Sequence, residues 1–143
     1  MVQSQLIFKG ETMKGRCHCN QLQYEITGAP IAHALCHCSD CRRHAGAPMV
    51  GWAMFPETSV KILAGTTKTY KSSEHGRREF CENCGTGLFY RNAHILPGII
   101  DVQSGTLDTP NELPAQCHIQ TAERISWMTE LHKLPEFERF PSP

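Results

Sequence analysis

No run of apolar residues in this 143-residue chain approaches the roughly 18 needed to cross a bilayer. The first ten residues offer only Leu6-Ile7-Phe8, where a secretory leader needs a basic start and an apolar stretch of roughly 7–15 residues. Neither charge is in excess, since Lys plus Arg and Asp plus Glu each number 14. A protein that lives on nucleic-acid phosphates or an acidic membrane usually carries a basic surplus, so neither partner is expected. There is no internal repeat, low-complexity block, serine-nucleophile motif or phosphate-binding glycine loop. Asp101 and Asp108 are not spaced as an acid/base pair. Helix signals are few. What remains is a single domain's length of globular composition, 40% hydrophobic and 20% charged, expected in the cytoplasm.

Against these absences stand eight cysteines. In a reducing compartment clustered thiols more often bind metal than pair. The surrounding pattern is strand-like. Leu22–Ile26 alternates, and Val50–Phe55, Val60–Leu63, Thr67–Tyr70, Leu88–Tyr90 and Ile99–Val102 are short runs rich in β-branched or aromatic residues, closely punctuated by Gly, Pro, Ser and Asn. A mainly β fold of several small sheets follows. Helix is expected only after Cys38, where Ser39 or Asp40 can cap Cys41–His44, and around Glu123–Met128. Residues 1–13 read as an N-terminal extension, 14–137 as the domain and 138–143 as a C-terminal tail. The proline-bearing segment Leu131–Pro143 is expected to wrap over the body.

The cysteines fall into Cys17-His18-Cys19, Cys36-His37-Cys38-Ser39-Asp40-Cys41 and Cys81-Glu82-Asn83-Cys84, with Cys117 alone. In an extended segment residues i and i+2 face the same way, so each C-x-C pair can offer both sulfurs to one ion while His18 and His37 face away. Cys81–Cys84 resembles a zinc knuckle whose following Gly85 can adopt the left-handed conformation. C-x-C plus C-x-x-C supplies four thiolates, Cys17, Cys19, Cys81 and Cys84, enough to close a structural zinc site. Cys36, Cys38 and Cys41 supply three, which leaves a tetrahedral ion one open position, as in catalytic zinc. Spacing alone leaves open which clusters share an ion. Two closed sites, with Cys117 or a histidine such as His118 completing the second, remain an alternative, as do disulfides and iron–sulfur ligation.

Arg42, Arg43 and His44 follow Cys41 directly, and an arginine fork suits a substrate carboxylate. A solvated basic turn is the plainer reading of any one of them. Trp52, Phe55, Phe89, Tyr90 and Trp127 are expected in the core or a pocket wall.

Gly15–Cys19, Cys36–Pro48 and Phe80–Tyr90 together resemble the glutathione-dependent formaldehyde-activating enzyme family, and Gly105–Asp108, His118-Ile119 and Trp127 continue the match. The resemblance covers roughly residues 14–137. It implies an Mss4-like fold of small coiled antiparallel sheets clipped by two zinc ions. Cys17, Cys19, Cys81 and Cys84 would hold the structural one, and Cys36, Cys38 and Cys41 the second. It also implies a carbon–sulfur lyase in which glutathione adds its thiol to formaldehyde, giving S-hydroxymethylglutathione. Three thiolates leave such a zinc unit net negative, which weakens it as a Lewis acid and favours holding the incoming thiol. Arg42 and Arg43 are then candidates for a glutathione carboxylate. One departure from the family pattern is Asn20, where glycine is usual after the first C-x-C; Asn tolerates the left-handed region better than most residues. Two other classes stay open. One is a non-catalytic zinc-stabilised binding module on the same scaffold. The other is a thiol redox enzyme using Cys117, although Ala115–Ile119 lacks the surroundings expected for one.

Overall fold

The computed structural model describes residues 12–142. The expected N-terminal extension lies outside them except for Thr12 and Met13, which open the first strand. In chain order the strands are β1 (Thr12–Arg16), β2 (Gln23–Thr27), β3 (Ala32–Cys36), β4 (Val50–Pro56), β5 (Val60–Ala64), β6 (Thr67–Lys71), β7 (Gly76–Cys81), β8 (Gly87–Asn92), β9 (Ile99–Gln103) and β10 (Cys117–Ile119). One α-helix, α1 (Ser39–Ala45), follows β3. The fold is mainly β with little helix, as expected. Among the described residues no helix is long and apolar enough to cross a membrane.

The strands form a three-stranded sheet, β1-β2-β5, and a seven-stranded sheet, β10-β3-β4-β9-β8-β7-β6. Every pairing is antiparallel except β10 with β3. The six expected strands, one from alternation and five from β-branched or aromatic runs, all form, with ends shifted by one or two residues. Four strands carried too weak a local signal. Ala32-His33-Ala34-Leu35 has no β-branched residue, Arg77-Arg78-Glu79 is charged, β10 is only three residues long, and β1 is interrupted by Gly15. Each forms because a neighbour pairs with its backbone, a tertiary effect that overrides propensity.

Alternation in β1 and β2 buries Met13, Tyr24 and Ile26 on one face. These side chains join Phe55, Leu88, Phe89, Ile100 and Val102 of the large sheet in the main core. Tyr24 meets Phe89 edge to face, with centroids 5.3 Å apart. The opposite face of the large sheet carries a smaller cluster of Cys36, Cys41, Val50 and Trp52, with Cys38 and Tyr90 packed against it. Along this face the register aligns Met54, Asp101, Tyr90, Arg78 and Tyr70 in one row across β4, β9, β8, β7 and β6. Helix α1 lies beside this face, where His44 stacks parallel to Tyr70.

Three expectations need correction. The N-cap of α1 is Cys38 rather than Ser39 or Asp40, with the Cys41 amide donating to Cys38 Sγ at 3.2 Å. The expected helix around Glu123–Met128 is two 3-10 segments, Thr121–Glu123 and Ser126–Lys133, neither of which buries a residue. Without an apolar face against the core, nothing repays a longer helix for its nucleation cost. Trp127 sits in the second segment and is 52% exposed, so it does not belong to the core.

Candidate metal centres

All eight cysteines are free thiols. Two groups of sulfurs converge, Cys17, Cys19, Cys81 and Cys84 in one and Cys36, Cys38 and Cys41 in the other, each with its sulfurs within 4.8 Å of one another. These are the two sets that counting thiolates separated.

The four-sulfur group is assembled by two tight turns. Cys17-His18-Cys19 lies in the turn after β1 rather than in an extended strand. Asn20 holds φ at 70° and its amide donates to the Cys17 carbonyl at 3.2 Å, folding the chain so that the two sulfurs stand 3.5 Å apart. Asn therefore does serve where glycine is usual. The Leu22 amide donates to Cys17 Sγ at 3.3 Å. On the other side, Gly85 takes φ 81° and its amide donates to the Cys81 carbonyl, closing the knuckle. Sulfurs at the corners of a tetrahedron with Zn–S of about 2.3 Å lie about 3.8 Å apart. The 3.5 Å between Cys17 and Cys19 and the 3.9 Å between Cys19 and Cys81 match that spacing, so the donor set fits zinc.

Protonation preference is divided across this group. Burial pushes the Cys17 thiol up to about 11, while the Thr86 hydroxyl and amide beside exposed Cys84 pull its thiol down to about 5. His18 does not join the converging sulfurs and lines an adjacent cavity of about 480 Å³ with Arg16, Cys17, Thr86 and Asp108. An ion held by all four thiolates would have no open coordination position towards that cavity.

The three-sulfur group joins the end of β3 to the first turn of α1. The N-cap geometry of Cys38, with ψ at 151°, turns the chain so that Cys36 and Cys38 on one limb meet Cys41 on the other. Gly46 ends the helix at φ 66°. Burial pushes Cys36 up to about 12 and also raises Cys41. Two donors oppose the rise at Cys41. The Trp52 indole N–H points at its sulfur from 3.4 Å, and both terminal nitrogens of Arg78 stand 3.9 Å away. Such donors hold a ligand sulfur as thiolate and orient it. Among the described residues no fourth Cys, His, Asp or Glu joins this group. His37, between two of the cysteines, faces away and lies 2.9 Å from His118 Nδ1. Cys117 lies on β10 opposite Ala34, half-buried and outside both groups.

Arg42 and Arg43 separate. Arg43 lines a cavity of about 420 Å³ beside Cys41, together with Asp40, His44, Tyr70, Ser72 and Arg78. Arg42 lies outside it, its Nε buried without a partner and its charge acting on Glu123. Arg78 was not anticipated from sequence. Alternation back from Cys81 places it on the face that β7 shares with Tyr90, and that is the signal that could have found it.

A family model described as the glutathione-dependent formaldehyde-activating enzyme matches residues 12–123. The chain belongs to this family. Both cysteine groups of the glutathione-dependent formaldehyde-activating enzyme match fall inside those residues. An uncharacterized lyase of Schizosaccharomyces pombe is 30% identical over 77 residues, 54% of this chain and 56% of the lyase, so the chain spans about half the length of that relative. A crystal structure of a Rhodobacter sphaeroides protein shares the fold with a TM-score of 0.59 at 22% identity, covering 74% of this chain and 99% of that one.

Proposed function

We propose that the protein is a zinc-dependent carbon–sulfur lyase that adds glutathione, or a closely related thiol, reversibly to formaldehyde or another small aldehyde. The observation that carries this reading is the three-sulfur group, which offers an ion three thiolates and, among the described residues, no fourth protein ligand. Membership of the family supports the choice of thiol and aldehyde, and the lyase name of the fission-yeast relative supports the class of reaction.

The four-sulfur group would hold a structural zinc and the three-sulfur group a second ion, two per chain. When bound there, the second zinc supplies an open position at which a thiol is held as thiolate. The chain's own residues prepare that position. Trp52 and Arg78 support the thiolate of Cys41, and the Cys41 amide does the same for Cys38. Val50 and Trp52 are buried against the sulfurs and keep water from them. In the addition a C–S bond forms between the thiol sulfur and the carbonyl carbon. The C=O π bond breaks, and the proton released by the thiol ends on the new hydroxyl. The partners on this reading are a small thiol and a small aldehyde in the cytoplasm, without nucleic acid or membrane.

The test is zinc content per chain together with glutathione-dependent formaldehyde consumption, for the wild type and Cys41→Ser. The expected outcome is two zinc ions and turnover in the wild type, and one zinc ion with turnover lowered at least about a hundredfold in the variant. Turnover unchanged in a one-zinc variant removes the second ion from the mechanism. Two zinc ions with no turnover in the wild type favour a binding module.

A further inference from the structure

The chain beyond Met128 does not bury itself on the body. Every described residue from Thr129 to Ser142 is exposed, so the segment expected to wrap over the sheets stands off them as an arm. Its hydrogen bonds are local. The Leu134 amide donates to the Leu131 carbonyl at 3.1 Å, Lys133 Nζ to Glu130 Oε1 at 2.9 Å, and Arg139 to the Glu138 carbonyl at 2.9 Å. Large apolar residues nevertheless recur at every third position, as Ile125, Met128, Leu131, Leu134, Phe137 and Phe140. The 3-10 segment Ser126–Lys133 has three residues per turn. The polyproline II form has the same repeat, and Leu134 takes its dihedrals, φ −75° and ψ 141°, ahead of Pro135. In either form a period of three keeps its members on one face. That face starts half-buried at Ile125 and Met128 and then runs into solvent, from 40% exposure at Leu131 to 95% at Phe140. A merely solvated tail has no use for such a row.

The arm is complementary to its own reverse. Laid antiparallel to itself about a two-fold axis between Pro135 and Glu136, it sets Leu131 opposite Phe140, Leu134 opposite Phe137 and Lys133 opposite Glu138. No two carboxylates and no two Lys or Arg side chains fall opposite each other. Self-complementarity is the condition for an isologous contact, in which both copies present the same patch. An unrelated partner would impose no such symmetry on a single arm. We infer that Leu131–Phe140 pairs antiparallel with the same arm of a second copy, giving a two-fold homodimer held by Leu131, Leu134, Phe137 and Phe140. Four such side chains offer on the order of 300 Å² per copy. That is short of the roughly 800 Å² per partner of a standard interface, so the dimer is weak and reversible. The apolar row supplies its affinity, and Lys133 with Glu138 fixes its register.

Sedimentation velocity of the full, zinc-loaded chain, from low-micromolar to high-micromolar concentration, reads the equilibrium. The wild type is expected to pass from monomer to dimer across that range. Leu134→Ser combined with Phe137→Ser should weaken association at least about tenfold. Zinc content and thermal midpoint should stay unchanged, because both side chains stand in the exposed arm. Lys133→Glu and Glu138→Lys, each alone, bring like charges together at both ends of the two-fold contact and should each weaken it about tenfold. Mixed in equal amounts, these two single variants should associate again as a heterodimer, since each then meets opposite charge at both ends. A wild type that stays monomeric throughout overturns the inference. So does a dimer indifferent to Leu134→Ser with Phe137→Ser, because its contact then lies elsewhere. A mixture of the two charge variants that associates no more tightly than either alone overturns the antiparallel pairing, and the inference with it.

Discussion

Replacing Asp101 by Asn should stabilise the protein, and by an amount that depends on pH. Asp101 lies in β9, 8% exposed, with Oδ1 buried and without a hydrogen-bond partner. No Lys, Arg or His pairs with it among the described residues. Burial pushes its carboxyl from the ordinary 3.8 up to about 6. The sign follows from linkage. Between about pH 4 and pH 6 the folded state keeps a proton that the unfolded state has already released, so stability falls as pH rises through that window. Each tenfold change in proton affinity is worth about 1.4 kcal/mol, so the full penalty above pH 7 is about 3 kcal/mol. About half of it is already present at pH 5, so the advantage of Asp101→Asn over the wild type should grow by about 1.4 kcal/mol from about pH 5 to about pH 8. The variant amide adds an offset that does not change with pH. Proton linkage at the cysteine groups is common to both proteins and cancels in the difference. Urea unfolding of both proteins across that range, followed by tryptophan fluorescence, measures the quantity. A difference that stays constant with pH refutes the reasoning, because it would mean that Asp101 titrates alike in the folded and unfolded chains.

Trp52→Phe keeps one aromatic ring but removes the pyrrole half of the indole with the N–H that points at Cys41 Sγ, so zinc affinity at the three-sulfur group should fall about tenfold while the four-sulfur group is unaffected. Competition with a chromogenic chelator resolves the two sites, and equal losses at both would contradict the assignment. Gly15→Ala places a methyl group against the Tyr24 ring and hydroxyl, which is held by Thr106 Oγ1 at 2.7 Å. Because Tyr24 is fully buried, the strand must shift at a cost of about 2 kcal/mol or more, seen as a lower thermal midpoint with the zinc content retained.

The two sulfur groups are legible in the order of residues because neighbouring members lie two or three positions apart, and a short span of backbone has few ways to place two side chains on one ion. The left-handed turns at Asn20 and Gly85 belong to the same local register, set by which residues tolerate positive φ. The surroundings of the groups are not legible in this way. Arg78 reaches Cys41 across 37 positions of chain, and charged residues at its sides hide the strand that carries it. Trp127 follows the family pattern but lies outside the sheets, and a bulky aromatic in isolation says nothing about what covers it.

The amino-acid sequence by itself determined the mainly β character and the close-set cysteine clusters, which follow from alternation and spacing over a few residues, and its resemblance to the family implied their division into four, three and one. Only the tertiary structure decided which face of the large sheet receives the three-sulfur group, that Trp52 and Arg78 support it, and that Arg43 rather than Arg42 reaches the neighbouring cavity. Those outcomes depend on strand register, where a slip of one residue turns each side chain to the opposite face, and on the direction in which α1 leaves Cys38.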